Sequence, residues 1–222
     1  MGMSPRPRAV IYDLDGVLLD TEPFYTQVTQ EIVGRYGKTF DWSVKSRMIG
    51  RPSIESARTL VAALELPLTP EDYLRERAKK LEVLFRESPA VHGAERFTRA
   101  IAERGIPQAI ATSSERRLFE LKALRHREWF SIFAAIVTGD DPRVAAGKPA
   151  PDIFLRAASD LEIPAPDCLV FEDAPAGVAA ARSAGMRVVA LPDPAMDRAR
   201  YADADLVADG FDDVALSALS LA

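Results

Sequence analysis

Ala9-Val-Ile-Tyr-Asp13-Leu-Asp15-Gly16 is the point from which the rest of the chain can be read. Four β-prone apolar residues run directly into two acids and a glycine, the pattern of a buried strand that ends in a loop. The same grammar recurs. Residues 106–111 end at Thr112-Ser-Ser, 132–137 at Thr138-Gly-Asp-Asp141, 168–171 at Glu172-Asp173, and 188–191 at Pro192-Asp193. Helical patterns separate these runs, over 94–103, 115–124, 153–161 and 176–184. Strands alternating with helices of about ten residues predict an α/β fold, a Rossmann-like, doubly wound parallel sheet covered on both faces. Ligands of such sheets bind beyond the carboxyl ends of the strands, where these hydroxyls and carboxylates cluster.

Residues 20–89 break the rhythm, with no convincing strand and helical punctuation throughout. Ser53 is expected to cap one helix. Thr69-Pro70-Glu71-Asp72 supplies a capping hydroxyl, Pro at the first helical position and an acid at the third. Leu74, Ala78, Leu81 and Phe85 then recur at helical spacing. The segment holds 11 acidic and 11 basic residues, so the net charge of −5 belongs entirely to the remainder. The expected organisation is an α/β core from 1–19 and 90–222, with 20–89 as an all-helical insertion.

Composition narrows the function classes. The chain has 222 residues, 48% hydrophobic and 27% charged, which suits a soluble globular protein. A net −5 argues against nucleic acid as a partner, because that binding needs surplus Lys and Arg. No window approaches the ~18 consecutive apolar residues of a membrane span. The single Cys168 cannot form an internal disulfide and reads as a small core hydrophobe, and the N-terminus lacks a signal-peptide pattern. A cytoplasmic monomer acting on a small phosphorylated metabolite, with neither nucleic acid nor membrane as partner, is the expectation.

The chemistry-bearing residues stand at the strand ends. Asp13-Leu-Asp15-Gly16 could open a calcium loop, but that loop needs Gly at its sixth position and Glu at its twelfth. Leu18 and Phe24 stand there. Aspartates two apart on extended backbone point the same way, so Asp13 and Asp15 are expected to converge on one ligand. With Mg²⁺ bridging to a phosphate, one carboxylate can attack phosphorus and the other can exchange protons with the leaving oxygen and with water. Phosphoryl transfer also needs fixed positive charge and donors. Lys148 supplies the charge, and Thr112, with the backbone after it at an expected helix start, supplies donors. Glu172 and Asp173 complete an oxygen-rich Mg²⁺ site. Arg51 and Glu22 are candidate contacts to the non-reacting part of the substrate. Tyr25 and Phe24 read as pocket lining or packing, His92 and His126 as structural or solvated residues, and Asp140 and Asp141 as turn-shaping residues.

At these residues the chain resembles the haloacid dehalogenase-like phosphatases and mutases over roughly residues 9–215. Four motifs occur in order: Asp13-x-Asp15-Gly-Val-Leu-Leu-Asp20-Thr-Glu22, Ala111-Thr112-Ser113-Ser114, Gly147-Lys148-Pro149-x-Pro151-Asp152, and Phe171-Glu172-Asp173-Ala174-x-x-Gly177. The resemblance implies that Asp13 is the nucleophile and Asp15 the general acid/base. Thr112, Ser113 and Lys148 would hold the phosphate. Mg²⁺ would sit on Asp13, Asp173 and the Asp15 carbonyl, with Glu172 acting through a water. The insertion would be the family's helical cap. Asp15 argues for a phosphate ester, and Tyr25, standing where β-phosphoglucomutases usually carry His, favours hydrolysis over a hexose phosphate mutase. A non-catalytic binder of phosphorylated ligands is the rival of another class. Asp41-Trp-Ser-Val-Lys45, 125–133 and 139–144 look most like the pseudouridine-5′-phosphatase group and its glycerol-3-phosphatase relatives.

Overall fold

In a computed structural model of the chain, residues 6–49 and 53–215 are described. The elements follow in order as β1 (Ala9–Tyr12), α1 (Glu22–Gly34), α2 (Trp42–Lys45), α3 (Ser53–Leu64), α4 (Pro70–Leu84) and α5 (Ala94–Ala102). Then come β2 (Gln108–Ala111), α6 (Arg116–Lys122), α7 (Arg127–Phe130), β3 (Ala135–Val137) and α8 (Asp152–Asp160). β4 (Cys168–Glu172), α9 (Pro175–Ser183), β5 (Arg187–Ala190) and β6 (Leu206–Val207) complete the order.

All six strands are parallel, in the order β3-β2-β1-β4-β5-β6. β1 therefore lies between β2 and β4, and the chain reverses its direction of travel across the sheet there. Val10 pairs with Gln108 on one side and Leu169 on the other. This is the switch point at which open α/β sheets form their ligand crevice.

The short apolar runs become strands because both faces are buried. Alternate residues go to opposite sides. Val10, Tyr12, Ile110, Leu169 and Phe171 face a core with Phe97, Phe133 and Phe211, whereas Ala9, Ile11, Ala109, Ala111, Val170 and Val188 face α8 and α9. The first face is filled by rings: Tyr12 stacks on Phe171 with centroids 5.2 Å apart, and Phe97 meets Phe171 edge-on at 5.2 Å. The second is filled by small residues, among them Ala157, Ala158, Ala180 and Ala181, which let two helices lie close on the strands. β6, only two residues long, was not anticipated from the sequence.

Between β1 and β2 the described chain is helical up to Ala102, and α1 to α4 enclose a cluster of their own with Val28, Ile32, Leu60, Tyr73, Leu81 and Phe85. Thr69 caps α4 as its sequence predicts, its Oγ1 accepting from Asp72 N at 3.1 Å. Two expectations change. Ala78 is exposed and the buried stripe of α4 runs through Tyr73 and Leu81. Ser53 is the first helical residue of α3, not its cap. The chain leaves and re-enters the sheet domain side by side: Leu19 bridges Ala90 antiparallel, Asp20 N donates to Pro89 O and Val91 N to Leu18 O, each at 2.9 Å.

Candidate active site

Asp13 follows the last residue of β1, Thr112 follows β2, and Glu172 closes β4, so the central strands deliver three candidate side chains to one edge. Asp13 N donates to Phe171 O at 3.0 Å, extending the ladder by one residue and fixing that side chain's origin. Thr112 N is held by Val137 O at 3.0 Å. Lys148, from the loop before α8, reaches in beneath them. Its Nζ donates to Asp13 Oδ1 at 2.5 Å, Glu172 Oε1 at 2.6 Å and Ala111 O at 3.3 Å.

Two glycines make this packing possible. A Cβ at Gly177 would stand 1.8 Å from Glu172 Oε1, and one at Gly16 would stand 2.3 Å from Asp173 Oδ2. Gly16 also has φ +80°, a conformation that other residues rarely adopt. Glu172 is further fixed by Ala174 N, which donates to Oε2 at 2.9 Å. The Asp173 carbonyl accepts from the Tyr201 hydroxyl at 2.7 Å. Tyr201 gave no sequence signal, since its role is to hold a main-chain atom far along the chain.

Asp13 and Asp15 lie near enough for Asp15's charge to act on Asp13, although the backbone joining them is not extended. The chain turns at once after β1, with Leu18 N and Leu19 N both donating to Leu14 O at 2.9 Å. Asp15 therefore meets a different set of partners. Lys122 Nζ donates to its Oδ1 and Oδ2 at 2.6 and 2.7 Å, Thr21 Oγ1 to Oδ1 at 2.5 Å, and Ser114 Oγ to Oδ2 at 3.0 Å. Lys122 was missed in the sequence. It sits on a helix rich in charge, where lysine reads as solvated, but it shares the buried stripe of Phe119 and Ala123, and that is the signal that could have found it.

The electrostatics separate the carboxylates. Burial pushes Asp13 up to about 7, with Lys148 opposing and the charges of Glu172 and Asp15 reinforcing. Burial, then the charges of Glu172 and Asp13, hold Asp173 well above the usual carboxylate range. Burial also works to raise Asp15, but Lys122 and the hydroxyls of Thr21 and Ser114 outweigh it and hold that carboxyl low. For Lys148, burial works to lower the ammonium, and Asp13 and Glu172 override it in the upward direction. Four carboxylates thus share this edge with two ammonium groups. Among the described residues no three acidic, His or Cys side chains form a ready-made metal cage. Magnesium characteristically uses one or two carboxylates together with substrate oxygens, and the carboxylate excess around Asp13 and Asp173 suits such an ion.

The remaining expected residues fall as follows. Thr112 is buried, and its Oγ1 accepts from Ser114 N at 3.1 Å. Because α6 begins only at Arg116, the backbone after Thr112 is a turn and not the expected helix start. Ser113 is exposed on that turn. Glu22 opens α1 and lies 3.4 Å from Lys45 Nζ, with burial raising its carboxyl. Together with Tyr25, Thr26, Lys45 and Arg77 it lines a cavity of about 280 Å³ whose walls all come from residues 22–77. Asp15 contributes to the field felt at both Glu22 and Tyr25, so this cavity adjoins the carboxylates. Arg51 lies outside the described residues. His126 Nε2 donates to Ser88 O and the ring stacks against Phe130, His92 pairs with Asp212, and Asp140 and Asp141 bind Arg116 N and Arg143, all of them structural contacts.

The chain is similar to several known proteins. A (DL)-glycerol-3-phosphatase of Arabidopsis thaliana, named as mitochondrial, is 49% identical over 203 residues, covering 89% of this chain and 68% of the relative. A Drosophila melanogaster protein named probable pseudouridine-5′-phosphatase is 44% identical over 200 residues, covering 89% and 87%. The solved structure of a Deinococcus radiodurans hydrolase with bound phosphate and sodium superposes with a TM-score of 0.79 at 25% identity, covering 99% and 97%. No helix among the described residues is long and apolar enough to cross a membrane. The haloacid dehalogenase-like hydrolase profile matches residues 7–185, which include Asp13, Asp15, Thr112, Lys148, Glu172 and Asp173, and the chain belongs to that family.

Proposed function

We propose that the protein is a Mg²⁺-dependent phosphatase that hydrolyses a small polyol, sugar or nucleoside phosphate through a phosphoryl group carried on Asp13. The observation that carries this reading is the pairing of two buried lysines with two aspartates two positions apart in the chain, Lys148 with Asp13 and Lys122 with Asp15. Asp13 Oδ forms a bond to phosphorus while the bond to the substrate oxygen breaks, and Asp15, charged in the free protein, takes up a proton from solvent as substrate binds and gives it to the departing oxygen. Water then bonds to phosphorus, its proton passes to Asp15 and on to solvent, and the bond to Asp13 breaks, restoring both groups. Lys148 and Thr112 hold the phosphoryl oxygens in position, with Ser113 on the adjoining turn. Asp13, Asp173 and the Asp15 carbonyl would hold Mg²⁺, with Glu172 beside them, and the ion would neutralise charge on the phosphoryl oxygens. The helical segment 20–89 acts as the cap, its cavity at Glu22 and Lys45 receiving the hydroxylated part of the substrate.

Relatives named glycerol-3-phosphatase and pseudouridine-5′-phosphatase favour hydrolysis over isomerisation. The test is a Mg²⁺-dependent phosphate-release screen with glycerol phosphates, pseudouridine 5′-phosphate and hexose phosphates. Phosphate accumulating with the free alcohol is expected. Isomer formation without phosphate would replace this reading with a mutase, and binding without turnover would replace it with a phospholigand receptor.

A further inference from the structure

Lys122 is a lysine with no exposed side-chain surface, although it lies on an otherwise charged helix near the molecular edge. Its three N–H groups have three oxygen acceptors: Asp15 Oδ1 at 2.6 Å, Asp15 Oδ2 at 2.7 Å and Ser114 Oγ at 2.9 Å. The ammonium also stands 4.3 Å from the centre of the Phe85 ring, a cation–π distance. Phe85 closes α4 where the helical segment returns to the sheet, and its ring meets Tyr25 of the cavity wall edge-on at 5.7 Å.

As a device for stability this pair is a poor choice, because desolvating a lysine offsets most of the attraction it gains and an apolar replacement is often neutral. As a device for orientation it is effective. Thr21 Oγ1 occupies the N-cap position of α1 yet makes no cap bond, and donates to Asp15 Oδ1 instead. Lys122, Thr21 and Ser114 come from three separate segments and fix both carboxylate oxygens, while the side chain stays 27% exposed.

We propose that Lys122 is the positioning residue for the proton-transfer carboxylate Asp15, setting the plane in which that group meets the leaving oxygen, with Phe85 holding the ammonium in place. This rests on the reading of Asp15 as general acid. A positioning role has a signature that a merely structural one lacks. Expulsion of an alkoxide needs a well-placed acid, whereas expulsion of 4-nitrophenolate needs little help, and kcat/KM covers every step up to that departure.

The experiment compares wild type, Lys122→Met, Asp15→Asn and the double variant, each assayed with glycerol 3-phosphate and with 4-nitrophenyl phosphate. Lys122→Met is expected to lower kcat/KM for the alkyl ester by about 10²-fold, the lower end of what acid catalysis contributes, and for the aryl ester by less than about fivefold. Because both esters are assayed on one preparation, the ratio is independent of how much of the variant is folded. In the Asp15→Asn background the Lys122 substitution is expected to lower the alkyl rate no further. Equal losses on both esters, or additive losses in the double variant, would overturn the assignment of Lys122. If Asp15→Asn itself left the alkyl-to-aryl ratio unchanged, the reading of Asp15 would fail, and the role of Lys122 with it.

Discussion

Asp13 and Asp15 leave the same strand end and each meets a buried lysine, yet the two surroundings act in opposite senses. Asp13, 10% exposed, shares Lys148 with Glu172 and lies near a second crowded acid, Asp173, so burial prevails and its carboxyl is raised. Asp15 has Lys122 to itself, with two hydroxyls added, and is held low. Two chemically identical side chains are thereby given opposite electrostatic settings by their neighbours, which suits the different tasks proposed for them. On the Asp13 side the excess of carboxylates leaves room for a cation. On the Asp15 side charge is already matched.

The contrast can be broken most severely at Asp13. Asp13→Asn removes the nucleophile and is expected to lower kcat by about 10⁶-fold, the scale seen when a covalent nucleophile is lost, as read by phosphate release under saturating Mg²⁺. Asp15→Asn keeps the nucleophile and is expected to lower alkyl phosphate turnover by about 10³-fold, in the same assay. Lys148→Met leaves Asp13 and Glu172 without their shared cation and is expected to cut kcat/KM by about 10²- to 10³-fold, in line with loss of one preorganised electrostatic contact. Its inhibition by inorganic phosphate should weaken in parallel. Gly177→Ala drives a methyl into Glu172 and is expected to lower stability by about 1–3 kcal/mol, the usual penalty of overpacking, measured by urea unfolding. Thr21→Val removes one donor from Asp15 and sharpens the comparison most finely, with an expected loss of about tenfold on alkyl esters, the worth of one hydrogen bond to a charged group.

Much of this architecture was written locally. Ala9–Tyr12 is wholly apolar and ends in acids, so its strand and its functional edge are both visible in eight residues. Thr69-Pro70 announces α4 through cap chemistry that depends on neighbours three residues apart. Lys148, Glu172 and Asp173 stand at strand or loop ends, where polar residues after apolar runs are conspicuous. What escaped was set by tertiary contact. Lys122 lies 107 residues from Asp15, and nothing in its own helix names that partner. The separate partners of Asp13 and Asp15 go with the turn that brings Leu18 N and Leu19 N onto Leu14 O, a backbone event that a count of alternating positions overlooks. β6 escaped because two residues are too few for periodicity, and it forms only where Asp205 N and Ala208 N bond to β5.

The central claim is that Asp13, and not Asp15, carries the phosphoryl group. Wild-type protein mixed with Mg²⁺ and radiolabelled 4-nitrophenyl phosphate, quenched in acid within the first turnover and peptide-mapped, tests it directly. Label confined to the peptide containing Asp13 in the wild type, and absent from Asp13→Asn, is the predicted result. Label retained by Asp13→Asn, or found on any other side chain, would contradict the account.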